Sequence, residues 1–116
     1  MWCKNCDPHK PCFIPDTYYT WQTEEYGRLV GEKSMIAELA ARGPITCDMG
    51  ATELFDQYKG GIWTNTEGYT GTNHVVSIVG YDQKEDENGE IIPFWIVRNS
   101  WGDYWGEDGF FRILRG

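Results

Sequence analysis

A chain of 116 residues with formal charge −8 and pI about 4.6 suits one small domain, and its few cations argue against a phosphate-reading nucleic-acid binder. No apolar run approaches the roughly 20 residues a membrane span needs, and MWCKNCD lacks the basic head and apolar middle of a signal peptide. Six Trp, seven Tyr and five Phe supply ample surface for a packed core.

Residues 1–23 are rich in Cys and Pro, have no helical period and read as loop; Tyr18–Trp21 could form a short strand within it. Met1 stands so close to the cysteine cluster that an internal start, a piece of a longer chain, is expected. Cys3, Cys6 and Cys12 admit two readings. One is a disulfide-bonded loop of a secreted or lysosomal protein. The other is a metal site, because Cys3, Cys6, His9 and Cys12 read C-x2-C-x2-H-x2-C, although Pro8 and Pro11 stiffen the segment.

Met35, Ile36, Leu39 and Ala40 recur at helical spacing, with Glu32 at the start and Arg42-Gly43-Pro44 at the end, which predicts a helix over 32–42. Ile45 to Met49 reads as a strand. A weaker helical stretch over about 51–58 ends at Gly60-Gly61, and Ile62-Trp63 restarts an extended segment. HVVSIVGYD is a buried strand, QKEDENGE a charged Asn-Gly turn, and IIPFWIVRN the return strand, with Pro93 at its edge or start. A second hairpin runs through GDYWGEDG into FFRILRG. The fold class is α+β, with an antiparallel sheet of four to six strands and one main helix.

His74 opens one strand, and Asn99 ends the strand that pairs with it across the acidic hairpin. Both therefore sit at one end of that hairpin. A side-chain carbonyl that accepts from one ring nitrogen fixes the imidazole tautomer and presents the other nitrogen to a partner. Trp101 and Trp105 can cover such a bond and exclude water, while Gly102, Gly106 and Gly109 let the backbone turn around the rings. Each element alone has a plainer explanation: a packed His, a turn Asn, hairpin Trp-Gly pairs. The joint pattern carries the inference.

NHVVSIVGYD followed by FWIVRNSWGDYWGEDGFFRI strongly resembles the C-terminal half of papain-like cysteine peptidases. CKNC with Cys12, EYGRLVGEKSMIAELAARGPITC and CDMGATELFDQYKGGIW look like the cathepsin X (cathepsin Z) branch of that family, and the resemblance covers essentially all of the chain. It implies the right-hand, β-barrel-like domain of the papain fold over 1–116. It implies His74 as catalytic acid/base, Asn99 as its orienting partner, Trp101 as a shield, and Asn73 lining the substrate cleft through its backbone. It also implies that Cys6 pairs with Cys12, and that Cys3 and Cys47 pair with cysteines outside this stretch, with no metal. The family's nucleophile, a Cys in a motif like C-G-S-C-W, is not among these residues, nor are the oxyanion-hole Gln and the insertion that makes the branch a carboxypeptidase. The chain also stops before the family's closing strand, and the turn Asp82–Glu90 is longer than the branch leads one to expect. The implied partners are a peptide or protein substrate and the N-terminal half of the same enzyme, with no nucleic acid, membrane or cofactor. The implied compartment is lysosomal or extracellular. The alternative is a catalytically inactive papain-like binding module.

Overall fold

The computed structural model describes the backbone of Asn5–Asp7 and Lys10–Phe13, and residues 16–116 in full. Nine elements follow in chain order: β1 (Asn5–Asp7), β2 (Lys10–Phe13), α1 (Glu32–Arg42), β3 (Ile45–Met49), α2 (Glu53–Asp56), β4 (Ile62–Trp63), β5 (His74–Glu85), β6 (Ile91–Arg98) and β7 (Phe110–Leu114). The first two pair antiparallel as a separate ribbon. Reading residues 1–23 as loop misses this ribbon, whose strands are too short to show a period. The side chains of Cys3, Cys6, His9 and Cys12, and with them the disulfide and zinc readings, lie outside the described residues. Tyr18–Trp21 forms no strand; these residues are exposed and without regular structure, because no neighbouring strand is there to pair with them.

α1 occupies the expected span. Gly43 follows it at φ 94° and returns its N–H to the Leu39 carbonyl, so the last turn closes without a side-chain cap. α2 is shorter than the expected 51–58. Thr52 caps it by accepting from Phe55 N at 3.3 Å, and the chain leaves the helix after Asp56.

The remaining strands form one sheet in the order β3-β5-β6-β7-β4. All neighbours are antiparallel except β4, which lies parallel to β7 (Ile62 opposite Arg112). Two-residue β4 has no sequence signal for direction, so the antiparallel expectation fails there alone. β5 and β6 pair from Ser77–Arg98 out to Glu85–Ile91, beyond the strand ends expected from hydrophobicity. The turn itself is Asp86–Glu90, where the Asp86 carboxylate accepts from Asn88 N and Glu90 N at 2.9 and 2.8 Å. Pro93 lies just before the β7 ladder begins at Phe94, and its carbonyl accepts from Arg115 N.

A bulge shifts the β5–β6 register between Ile78 and Gly80. The extra residue changes the parity of β5, so that Val76 and Ile78 on one side of it and Tyr81 on the other share the face of Trp95 and Val97. That face carries the core: Phe55, Tyr58, Val76, Ile78, Trp95, Val97, Trp105 and Phe111, with Met35, Ile36 and Leu39 of α1 packed against it. Phe55 is its centre. The ring is 0% exposed and meets Tyr58, Trp63, Trp101, Trp105 and Phe111 at centroid distances of 4.9–6.3 Å. None of the α1 side chains is fully buried, and the segment before it leaves Tyr19 94% and Trp21 93% exposed. Among the described residues no helix is long and apolar enough to cross a membrane.

An ion pair closes the far edge. Arg112 donates to both Glu107 oxygens, at 3.0 and 2.5 Å, and Gly61 N donates to Glu107 Oε1 at 3.1 Å. The Arg112 hydrogen bond holds the Glu107 carboxyl below its ordinary range against the opposing effect of burial, and the Gly61 amide adds to the lowering. The stabilisation is therefore present above the unfolded carboxyl value of about 4.3 and is lost as pH falls through the lower folded value.

Truncating Phe55 to Ala should cost about 3–5 kcal/mol, read from urea midpoints. A loss under about 1 kcal/mol would show that the aromatic cluster does not converge on it. Glu107→Gln should flatten the fall of stability as pH drops below the unfolded carboxyl value of about 4.3, relative to the unsubstituted chain. Parallel pH profiles would remove Glu107 from the acid limb.

Candidate active site

His74 is the first residue of β5, and Asn99 is the first after β6. Continuing the Ser77–Arg98 register by one step sets Asn99 opposite Val76, and His74 lies two residues further along the same face. The two side chains meet diagonally. His74 Nε2 is 2.8 Å from Asn99 Oδ1. A carbonyl oxygen only accepts, so Nε2 carries the proton and Nδ1 is left with its lone pair. The sense of the amide is set independently, because Asn99 Oδ1 also accepts from Ser100 N at 2.8 Å.

Asn99 is 4% exposed. Its backbone N–H donates to Gly109 O at 2.9 Å, which ties it to the turn between β6 and β7. Its Nδ2 is buried without a partner among the described residues. Trp101 stacks on His74 with ring centroids 4.8 Å apart and planes 30° apart. The indole thus covers the imidazole that bonds Asn99, which keeps water from competing for that bond. Trp105 stands edge-on to Trp101 at 5.0 Å, and its indole N–H donates to Asp56 O at 2.9 Å. Its ring packs against the covering Trp101 ring.

Asn73 does more than line a surface. Its side-chain amide bonds the Ala51 backbone in both directions, at 2.8 and 2.9 Å, while its own N–H donates to Met49 O. The residue before His74 is thereby pinned to the segment that leads into α2. Sequence reasoning did not anticipate this clamp, since an exposed Asn before a strand carries no signal of its partner.

A histidine held in this way can accept a proton at Nδ1 and return it. Cys47 is the one free cysteine among the described residues. Its side chain packs against the core, with Sγ 3.4 Å from the Asp48 carbonyl, and burial pushes its thiol up, with Asp48 adding to the effect. A thiol raised by burial is a poor nucleophile. The described residues thus bring His74 and Asn99 into hydrogen-bond contact and include no activated thiol.

A model described as the papain family cysteine protease matches residues 4–116. This chain belongs to that family. It is 39% identical over 112 residues to cathepsin Z of Onchocerca volvulus, an alignment that covers 97% of this chain and 35% of the relative. To cathepsin B-like cysteine proteinase 6 of Caenorhabditis elegans it is 40% identical over 91 residues, covering 78% of this chain and 23% of the relative. Among solved structures, the bromelain protease of Ananas comosus in complex with the E64 inhibitor superposes with a TM-score of 0.61 at 40% identity, over 72% of this chain and 36% of that one. Digestive procathepsin L2 proteinase from Tenebrio molitor larval midgut gives 0.62 at 39% identity, over 72% and 25%. The chain therefore spans about a third or less of the papain-family relatives named here, and its α+β architecture is that of the papain fold.

Asn99→Ala should release the His74 tautomer. Nitrogen NMR at neutral to alkaline pH is simple to assign, because the chain has only two histidines. The unsubstituted chain should show Nε2 protonated and Nδ1 bare, and the variant a mixture of tautomers. Identical His74 nitrogen shifts in both would refute the bond.

Proposed function

We propose that this chain is the histidine- and asparagine-bearing half of a thiol peptidase, and that its residues 1–116 form the right-hand domain of that enzyme. The observation that carries the reading is the 2.8 Å His74–Asn99 bond under the Trp101 ring, set in a chain of the papain family. The substrate class is a peptide or protein.

His74 Nδ1 takes the proton of a cysteine thiol contributed by the other half, giving a thiolate–imidazolium pair. The thiolate attacks the scissile carbonyl, and the imidazolium passes its proton to the leaving amine as the carbon–nitrogen bond breaks. The base then draws a proton from water, which attacks the thioester and frees the acid and the thiol. Asn99 keeps the ring aligned throughout, Trp101 keeps the bond dry, and Asn73 fixes the backbone at the cleft. The chemistry asks for no metal or organic cofactor. On this reading Cys6 pairs with Cys12, and Cys3 and Cys47 pair with cysteines of the remainder.

Two further observations support the division into halves. The chain aligns with 35% of the cathepsin Z it resembles. It also leaves Tyr18, Tyr19, Trp21, Tyr26 and Val30 of its residues 16–31 exposed, a run of apolar side chains of the kind that marks an interaction surface. The likeness to cathepsin Z favours removal of residues from a free C-terminus over internal cleavage, and a lysosomal or secreted setting.

The test is a chimera in which this chain replaces the matching third of the Onchocerca volvulus cathepsin Z. It should hydrolyse peptides with a free C-terminal carboxylate in preference to the same peptides amidated. His74→Ala in the chimera should lower kcat by about 10²–10⁴-fold. Asn99→Ala should lower kcat by at least about tenfold, one 1.4 kcal/mol step in the barrier, with KM little changed. A folded chimera whose turnover ignores both substitutions would overturn the reading and favour an inactive binding module.

A further inference from the structure

The turn between β6 and β7 holds Asn99, and the turn itself is an unfavourable piece of backbone. Gly106, Asp108 and Gly109 all take positive φ, at 63°, 53° and 85°. Asp108 is the only non-glycine with positive φ among the described residues, and a side chain there is strained. At Gly106 a Cβ would lie 2.6 Å from the Phe110 carbonyl oxygen. Such a turn keeps one shape only if something outside it fixes that shape.

Glu107 stands in the middle of it. Its backbone forms a two-way bridge with Phe110, N–H to carbonyl at 2.9 Å and back at 3.0 Å. Its carboxylate leaves the turn and takes three donors from two other places: Arg112 Nε and Nη2 on β7, and Gly61 N at the entry to β4. Tyr58 completes the frame by donating its hydroxyl to Gly61 O at 2.7 Å and accepting from Arg112 N at 3.3 Å. The Arg112 guanidinium also lies over the Phe94 ring at 5.6 Å. Two residues beyond Glu107, the Gly109 carbonyl receives the Asn99 N–H, and Gly109 N returns to Trp105 O at 2.8 Å. One contiguous path of bonds thus runs from the carboxylate to the amide that orients His74.

We infer that Glu107 is a positioning residue for the His74–Asn99 pair, acting as a bidentate latch that holds the strained turn and so sets the place of the Asn99 side chain. The inference rests on the proton-transfer reading of that pair. Glu107 touches neither His74 nor substrate, and its effect passes through Gly109. Trp105 is the second anchor of the same turn, on α2. The two anchors divide the work: Trp105 sets the height of the Trp101 ring, and Glu107 sets the backbone under Asn99.

The test uses the whole chain with Glu107→Ala, Glu107→Gln and Arg112→Lys. Two readouts are compared: exchange of the Asn99 backbone amide relative to that of Val97 in the core, and the His74 nitrogen shifts. Glu107→Ala should speed Asn99 exchange about tenfold or more relative to Val97, a local opening, and should mix the His74 tautomers. Glu107→Gln retains an acceptor for Gly61 N and loses the ionic pair, so its effect should be intermediate. Arg112→Lys keeps the charge without the two-pronged geometry and should resemble it. Should the Ala variant fail to fold, the Gln and Lys variants decide. Unchanged Asn99 exchange and His74 shifts in folded variants, or changes that only track Val97, would overturn the latch. A mixed His74 tautomer in the unsubstituted chain would instead overturn the functional reading.

Discussion

A slip of one residue between β5 and β6 would turn His74 to the opposite face from Asn99. Everything at the site depends on that register, and three features enforce it. Val76, Ile78, Trp95 and Val97 must all face the core. The bulge between Ile78 and Gly80 absorbs the one residue by which the two strands would otherwise disagree. The Asp86 carboxylate fixes the turn at the distal end by accepting two backbone amides. The hairpin is long, yet its chemistry sits at its open end, where two strand termini carry the side chains and the ladder supplies their spacing.

Aromatic packing then turns a hydrogen bond into a shielded one. Phe55 alone contacts five rings, and through Trp101 and Trp105 its placement reaches the imidazole. Edge-to-face pairs of this kind contribute about 0.5–1.5 kcal/mol each beyond burial. Their greater effect here is directional. Trp101 meets Phe55 and Trp105 in T-shaped contacts and stacks on His74, so three rings set its plane. The four residues of α2 matter for this reason: they deliver Phe55 into the cluster and the Asp56 carbonyl to the Trp105 indole.

Much of this was legible because it is written in short-range pattern. Helical spacing and the Arg42-Gly43-Pro44 ending located α1, and β-branched runs located β3, β5 and β6. His74 and Asn99 could be paired because a hairpin brings its own ends together. The glycines expected to allow a tight turn do take positive φ at 102, 106 and 109. What escaped were features whose cause lies far along the chain. β4 seats parallel on β7 beside the Gly61 bond to Glu107, forty-six positions away. Glu107 reads as one more surface acid in an acidic chain, and its importance lies in partners on two other elements. Tyr18–Trp21 has strand-like residues and no strand beside it. Asn73 gives no hint of Ala51, twenty-two positions earlier.

The distribution of cysteine chemistry follows from the same physics. A nucleophilic thiol needs an electropositive, partly exposed setting, and Cys47 has an apolar one with a neighbouring carboxylate that raises it further. Its place on β3, opposite Val76, suits packing or a disulfide far better than attack on a carbonyl. His74, by contrast, is held with one nitrogen committed to Asn99 and the other bare. A ring so oriented can take a proton at Nδ1 from a donor that meets it there. The aromatics Tyr18, Tyr19, Trp21 and Tyr26 of residues 16–31 stay exposed, while the apolar residues of α1 pack on the core.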